Sequence, residues 1–200
     1  MKENVIIAKN AKKEEIKAYY ILKDTLFNNA EVFIGDNIEK GLPDIYTSDY
    51  VIGVEVTSCE HLAQFLAEND YEMQKVNIGR QNRTKKIIEE YRALSLKDKN
   101  LLFISEFKKL LEKKIKRIPA YKSVKNISLI IMSDNINKEF IRRDTLSNLY
   151  RELVEEYNVK FDNLFLYYNN TLYADVNYTF LKMKKVKTKG GKYGNKEYCF

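Results

Sequence analysis

The run ISLIIM, Ile127 to Met132, is apolar and β-branched and has almost no polar surface to give to water. It reads as a buried strand, which obliges the rest of the chain to cover it. The segments around it alternate between helical and strand patterns. Apolar residues at Ile16, Tyr19, Tyr20, Leu22, Leu26 and Phe27 predict a helix over Lys12 to Phe27. Ala30 to Gly35 reads as a short strand and Asp36 to Gly41 as a turn. Leu42 to Thr47 and Val51 to Thr57 read as two further strands joined at Ser48-Asp49. Thr57-Ser58-Cys59-Glu60 fits a capping box opening a helix with Leu62, Phe65 and Leu66 inward. A mostly helical stretch from about Asn82 to Ile118 is interrupted near Ser95 to Asn100 and stopped by Pro119. Asp144 to Tyr157 is another helix, and Phe161 to Val176 a hairpin turning at Asn169-Asn170. This order predicts an α/β (α+β) fold, a central mixed sheet flanked by helices. One domain is expected over residues 1–181, with a basic, mobile tail over 182–200.

Length and charge narrow the function classes. Two hundred residues can bury a sizeable core without disulfides or a structural metal. Cys59 and Cys199 lie far apart and form no C-x-x-C, so a reduced, cytoplasmic setting is the expectation. No apolar run approaches a membrane span, and MKENVIIAKNAKKEE is too short in apolar residues for a secretory signal. The net charge of +7 is uneven: from Lys182 to Phe200, seven lysines face one acid, and from Glu106 to Lys122 seven bases face two acids. Such clustering suits a polyanion such as nucleic acid. The plainer alternative is a solvated lysine-rich surface.

Two acids do not fit a purely structural reading. Asp44 follows Pro43, one of only two prolines, and Glu55 lies inside the apolar run VIGVEVT. Side chains alternate along a strand, so Gly53, Glu55 and Thr57 share one face, while Asp44 shares a face with Leu42 and Tyr46. If the two strands pair, the carboxylates converge. Two carboxylates held this close repel, and an isolated buried one is costly. A divalent ion such as Mg²⁺ or Mn²⁺ would remove both penalties and suit phosphate chemistry.

Pro43-Asp44, ten intervening residues, then Glu55-Val56-Thr57 resembles the PD-(D/E)XK nuclease superfamily. The phrase GVEVTS after PDI is similar to phage and bacterial members of that group. The lysine-rich stretch LLEKKIKRIPAYKSVKNISLII, ahead of the next strand, also looks like the family. The resemblance spans roughly Lys12 to Asp134. It implies a restriction-endonuclease-like fold, with Asp44, Glu55 and the Val56 carbonyl as metal ligands. A glutamate on the first helix, Glu14 or preferably Glu15, would complete the set. Thr57 stands where the family has its catalytic lysine, and a hydroxyl cannot supply that charge. Either a lysine from another element enters the site, or turnover is slow, or the fold persists without catalysis.

The resulting expectation is a metal-dependent phosphodiester hydrolase acting on DNA or RNA. Phosphates would be held by Lys109, Lys113, Lys116 and Arg117 on the basic helix and by Lys184 and Lys185 in the tail. The partner is nucleic acid rather than a membrane, with a homodimer compatible. The alternative is an inactive nucleic-acid-binding or protein-interaction module on the same scaffold. Each residue also has a plainer role. Pro43-Asp44 could lead into a strand, Glu55 could form a structural ion pair, and Thr57 could cap a helix. His61 reads as a surface residue of a first helical turn, and Tyr167, Tyr168, Tyr173 and Tyr178 as hairpin packing.

Overall fold

The structure is a computed structural model that describes residues 4–35, 41–58, 86, 89–133, 143–168 and 170–186. Eight strands form one mixed sheet in sequence order. They are β1 (Val5–Ile7), β2 (Val32–Ile34), β3 (Ile45–Thr47), β4 (Ile52–Ser58), β5 (Asn126–Ser133), β6 (Asn163–Tyr168), β7 (Thr171–Asp175) and β8 (Phe180–Lys185). β1 pairs with β2 in parallel, β3 runs antiparallel to both β2 and β4, and β4, β5 and β6 are parallel. β7 is antiparallel to β6 and to β8. Only β3 and β7 therefore run against the other strands.

Among the described residues, the helices given full bounds are α1 (Lys13–Leu26), α2 (Leu96–Ile115) and α3 (Arg143–Tyr157). The central strands are apolar on both faces because both are covered. On one face, Ala18, Tyr19, Ile21 and Leu22 of α1 pack on Val54, Val56, Ile130, Met132, Phe165 and Tyr167. On the other, Phe107, Leu111 and Ile115 of α2 and Leu146, Tyr150 and Leu153 of α3 pack on Leu129, Ile131, Leu164 and Leu166. Glu55 alternates with Val54 and Val56, so it faces α2.

Local chemistry sets the boundaries. Chain 89–93 is helical and breaks before Ser95, whose Oγ accepts the Asp98 amide at 3.2 Å and starts α2. The helix ends three residues before a 3-10 turn, Ile118–Ala120, that contains Pro119. The β6–β7 turn includes Asn170 at φ 56, a conformation asparagine tolerates. Gly53 is required by its neighbours: a Cβ there would meet Pro43 Cγ at 2.6 Å and Val124 Cγ1 at 2.8 Å.

The α/β fold with a mixed, helix-flanked sheet is as expected. Several boundaries differ: β3 begins at Ile45 rather than Leu42, so Asp44 precedes the strand, and α2 runs unbroken from Leu96 through most of the break expected near Ser95 to Asn100. β1 was not anticipated, because three residues are too few to show a period. The expected tail boundary at 181 falls within β8: Lys182, Lys184 and Lys185 belong to a strand hydrogen-bonded to β7. Residues 187–200, the helix expected after Thr57, and His61 lie outside the described residues. No helix among the described residues is long and apolar enough to cross a membrane.

Candidate active site

The pairing of β3 with β4 ends at Ile45↔Val54, and there the Asp44 side chain takes over from the backbone. Val56 N–H donates to Asp44 Oδ2 at 2.8 Å, while the Asp44 carbonyl accepts from Gly35 N–H at 2.9 Å. Asp44 thus bridges β2 and β4 where β3 begins. Glu55 is 2% exposed, buried as its apolar run leads one to expect, and Asp44 is buried as well at 8%.

Glu55 has partners from a single stretch of chain at the end of α2. Lys114 Nζ donates to Glu55 Oε2, and Tyr121 OH donates to Oε1. Arg117 adds a guanidinium 3.9 Å from Oε2. Lys114 Nζ also lies 3.5 Å from the Val56 carbonyl. Burial above all, and then the negative charge of Glu55, holds the Tyr121 phenol well above its ordinary pKa, so it stays a donor. An unpartnered carboxylate this deep would be costly, and here a cation and a phenol offset the cost.

Lys114 and Tyr121 were not singled out by sequence. Lys114 is 59 positions from Glu55 and is one of seven bases between Glu106 and Lys122. Nothing in that run marks the inward one except its place beside Ile115 in the helical repeat. Lys114 comes to Glu55 from another element, α2. Thr57 itself is half-buried and lines a cleft of about 320 Å³ with Ser58, Glu106, Lys109, Leu110, Lys113 and Lys114.

The other expected residues separate into groups. Lys109 and Lys113 reach the cleft, and Lys109 also pairs with Glu106 at 2.9 Å. Arg117 sits by Glu55, with its guanidinium 5.8 Å from the centre of the Tyr121 ring. Lys116 turns away, 2.6 Å from Glu112 and over the Tyr157 ring at 4.9 Å, so it ties α2 to α3. Lys184 and Lys185 are on β8, four strand spacings from β4, on the order of 19 Å at about 4.8 Å each.

Glu15 does not join Glu55. Its Oε2 accepts the Lys12 amide at 2.9 Å, and its Oε1 is 3.3 Å from Lys12 Nζ, which anchors the start of α1. Glu15 chiefly, with a contribution from Asp44, raises the Lys12 pKa, so Lys12 feels both acids. Among the described residues no three or more His, Cys, Asp or Glu side chains converge as a metal cage. The expected three-carboxylate set is therefore not assembled. What does converge is an oxygen pair: Glu55 Oε2 and the Val56 carbonyl share the Lys114 ammonium, with the Arg117 guanidinium 3.9 Å from Oε2. Hard oxygen donors of this kind suit Mg²⁺ or Mn²⁺, so Glu55 Oε2 and the Val56 carbonyl are the atoms that would hold such an ion, while Asp44 Oδ2 is turned to the Val56 amide. A comparison with known families, curated proteins and solved structures finds no match, so the likeness to nucleases stands on the motif residues alone.

Proposed function

We propose that this protein is a metal-dependent phosphodiester hydrolase acting on DNA or RNA in the cytoplasm. The observation that carries the reading is Lys114: a buried ammonium from α2 on the Glu55 carboxylate, beside the cleft that Thr57 lines. It supplies from another element the charge that Thr57 lacks. Mg²⁺ or Mn²⁺, when bound, would polarise the attacking water and neutralise phosphate oxygens. In the hydrolysis, water oxygen bonds to phosphorus and gives a proton to solvent as the bond to the leaving oxygen breaks, and that oxygen takes up a proton from solvent. Lys114 would offset the charge that builds on the phosphoryl oxygens. Tyr121 fixes the Glu55 carboxylate by donating to Oε1, and Asp44 holds the β4 backbone at Val56. Lys109 and Lys113 hold flanking phosphates.

A second reading is a nucleic-acid-binding module without catalysis. It is favoured by one observation: Glu55 Oε1 and Oε2 and Asp44 Oδ2 are each already met by a donor of the chain. The two separate in one assay. Labelled single- and double-stranded DNA and RNA are incubated with wild type, Glu55→Gln and Asp44→Asn in Mg²⁺ or Mn²⁺. The hydrolase reading expects wild-type cleavage, with each variant slower by roughly 10²-fold or more. Folded wild type that binds the strands but never cuts them supports the second reading.

A further inference from the structure

We propose that the cleft between β4 and α2 is a phosphate site whose anion affinity is coupled, through Lys114, to cation binding at Glu55. The inference rests on the hydrolase reading for the identity of the anion; the coupling comes from the geometry of Lys114. Its side chain is 13% exposed and belongs to two places at once. The ammonium lies against Glu55 Oε2 and the Val56 carbonyl, and the same side chain lines the cleft.

A divalent ion and an ammonium cannot share those two oxygens. A metal bound there displaces Lys114, whose flexible stem lets its point charge swing into the cleft it already borders. Lys113 and Lys109, the latter paired with Glu106 at 2.9 Å, line the same cleft, and among its described lining side chains only Glu106 is acidic. A displaced ammonium therefore meets like charge unless an anion is present. A phosphate group answers that need, and the hydroxyls of Thr57 and Ser58 can donate to its oxygens. Cation and phosphate should consequently bind better together than apart, and by linkage each raises the affinity for the other by the same factor. Without a metal, Lys114 neutralises Glu55 and the cleft is one cation poorer.

The test measures Mn²⁺ binding by the loss of free-ion electron paramagnetic resonance signal, with and without thymidine 5′-monophosphate. Wild type, Lys114→Met and Lys114→Arg are compared, with Glu55→Gln as the blank for Mn²⁺ held by the nucleotide alone. Circular dichroism checks that each is folded. In wild type the nucleotide should tighten Mn²⁺ binding by about fivefold or more. Lys114→Met should bind Mn²⁺ alone about fivefold more tightly than wild type and lose most of the enhancement. Lys114→Arg keeps a cation on Glu55 and should bind Mn²⁺ alone as weakly as wild type. Equal Mn²⁺ affinity for wild type and Lys114→Met, equal enhancement in both, or no Mn²⁺ binding by any of the folded proteins would overturn the coupling. Oligonucleotide cleavage is scored separately. Coupling without cleavage removes the hydrolase reading alone, and cleavage lost in Glu55→Gln without coupling removes this inference alone.

Discussion

At Glu55 the penalty for burying a carboxylate is met by three groups that lie within residues 114–121. Removing one partner exposes that penalty. Lys114→Met should cost about 3–5 kcal/mol in urea unfolding, the range for breaking a buried ion pair. The double variant Glu55→Gln/Lys114→Met, with no charge to bury, should recover part of it. A loss below about 1 kcal/mol in Lys114→Met would mean the pair behaves like a surface one. Tyr121→Phe leaves Oε1 without its donor and should cost about 1–3 kcal/mol. At this scale the sequence was half legible. A glutamate inside VIGVEVT announces that it needs a partner, because the run around it is apolar. Which partner was not legible, since pairing over 59 positions depends on how α2 lies across the sheet.

Elements with enough residues to show a period were legible: α1, α2, α3, β4, β5 and the β6–β7 hairpin lie where the patterns put them. β1 has three residues, and β8 alternates too weakly, with Leu181, Lys182 and Met183 all exposed at the sheet edge. At that edge Asp175, the last residue of β7, gives a pH test. Its Oδ2 accepts the Tyr178 amide at 3.3 Å, while Oδ1 is buried without a hydrogen-bond partner. Burial raises the Asp175 pKa above its ordinary value near 3.8, so the folded state holds its proton more tightly than the unfolded one. Its contribution to stability is then full below that ordinary value and is lost as pH rises through the raised one. Asp175→Asn keeps an acceptor for Tyr178 and has no charge to desolvate. Its Tm should exceed that of wild type at about pH 7 and converge with it at about pH 3. A lower Tm for the variant across this range would contradict that account. On β4, Gly53→Ala should cost about 1–3 kcal/mol by overpacking against Pro43 and Val124.

Across the whole molecule, the +7 charge was readable as a polyanion signal, yet the fold distributes the candidate bases unequally. Lys109 and Lys113 line the cleft, Lys116 braces α3, and Lys184 and Lys185 sit at the sheet edge. Nucleic-acid binding should therefore lose about 0.7–0.9 of salt slope for each phosphate contact removed by Lys109→Gln or Lys113→Gln. Lys184→Gln should matter only for strands long enough to reach β8. An unchanged slope in the Lys109→Gln/Lys113→Gln variant would place the strand elsewhere. If Lys114 supplies the charge that Thr57 cannot, moving a lysine to position 57 should make up for its loss. Cleavage of a labelled oligonucleotide in Mn²⁺ is compared for wild type, Lys114→Met and Thr57→Lys/Lys114→Met, all checked for folding. Residue 57 shares the Glu55 face of β4 and borders the same cleft, so a lysine there can reach the same phosphate. Wild type should cleave, Lys114→Met should be slower by roughly 10²-fold or more, and the double variant should recover part of the loss. Lys114→Met cutting as fast as wild type would contradict that role for Lys114.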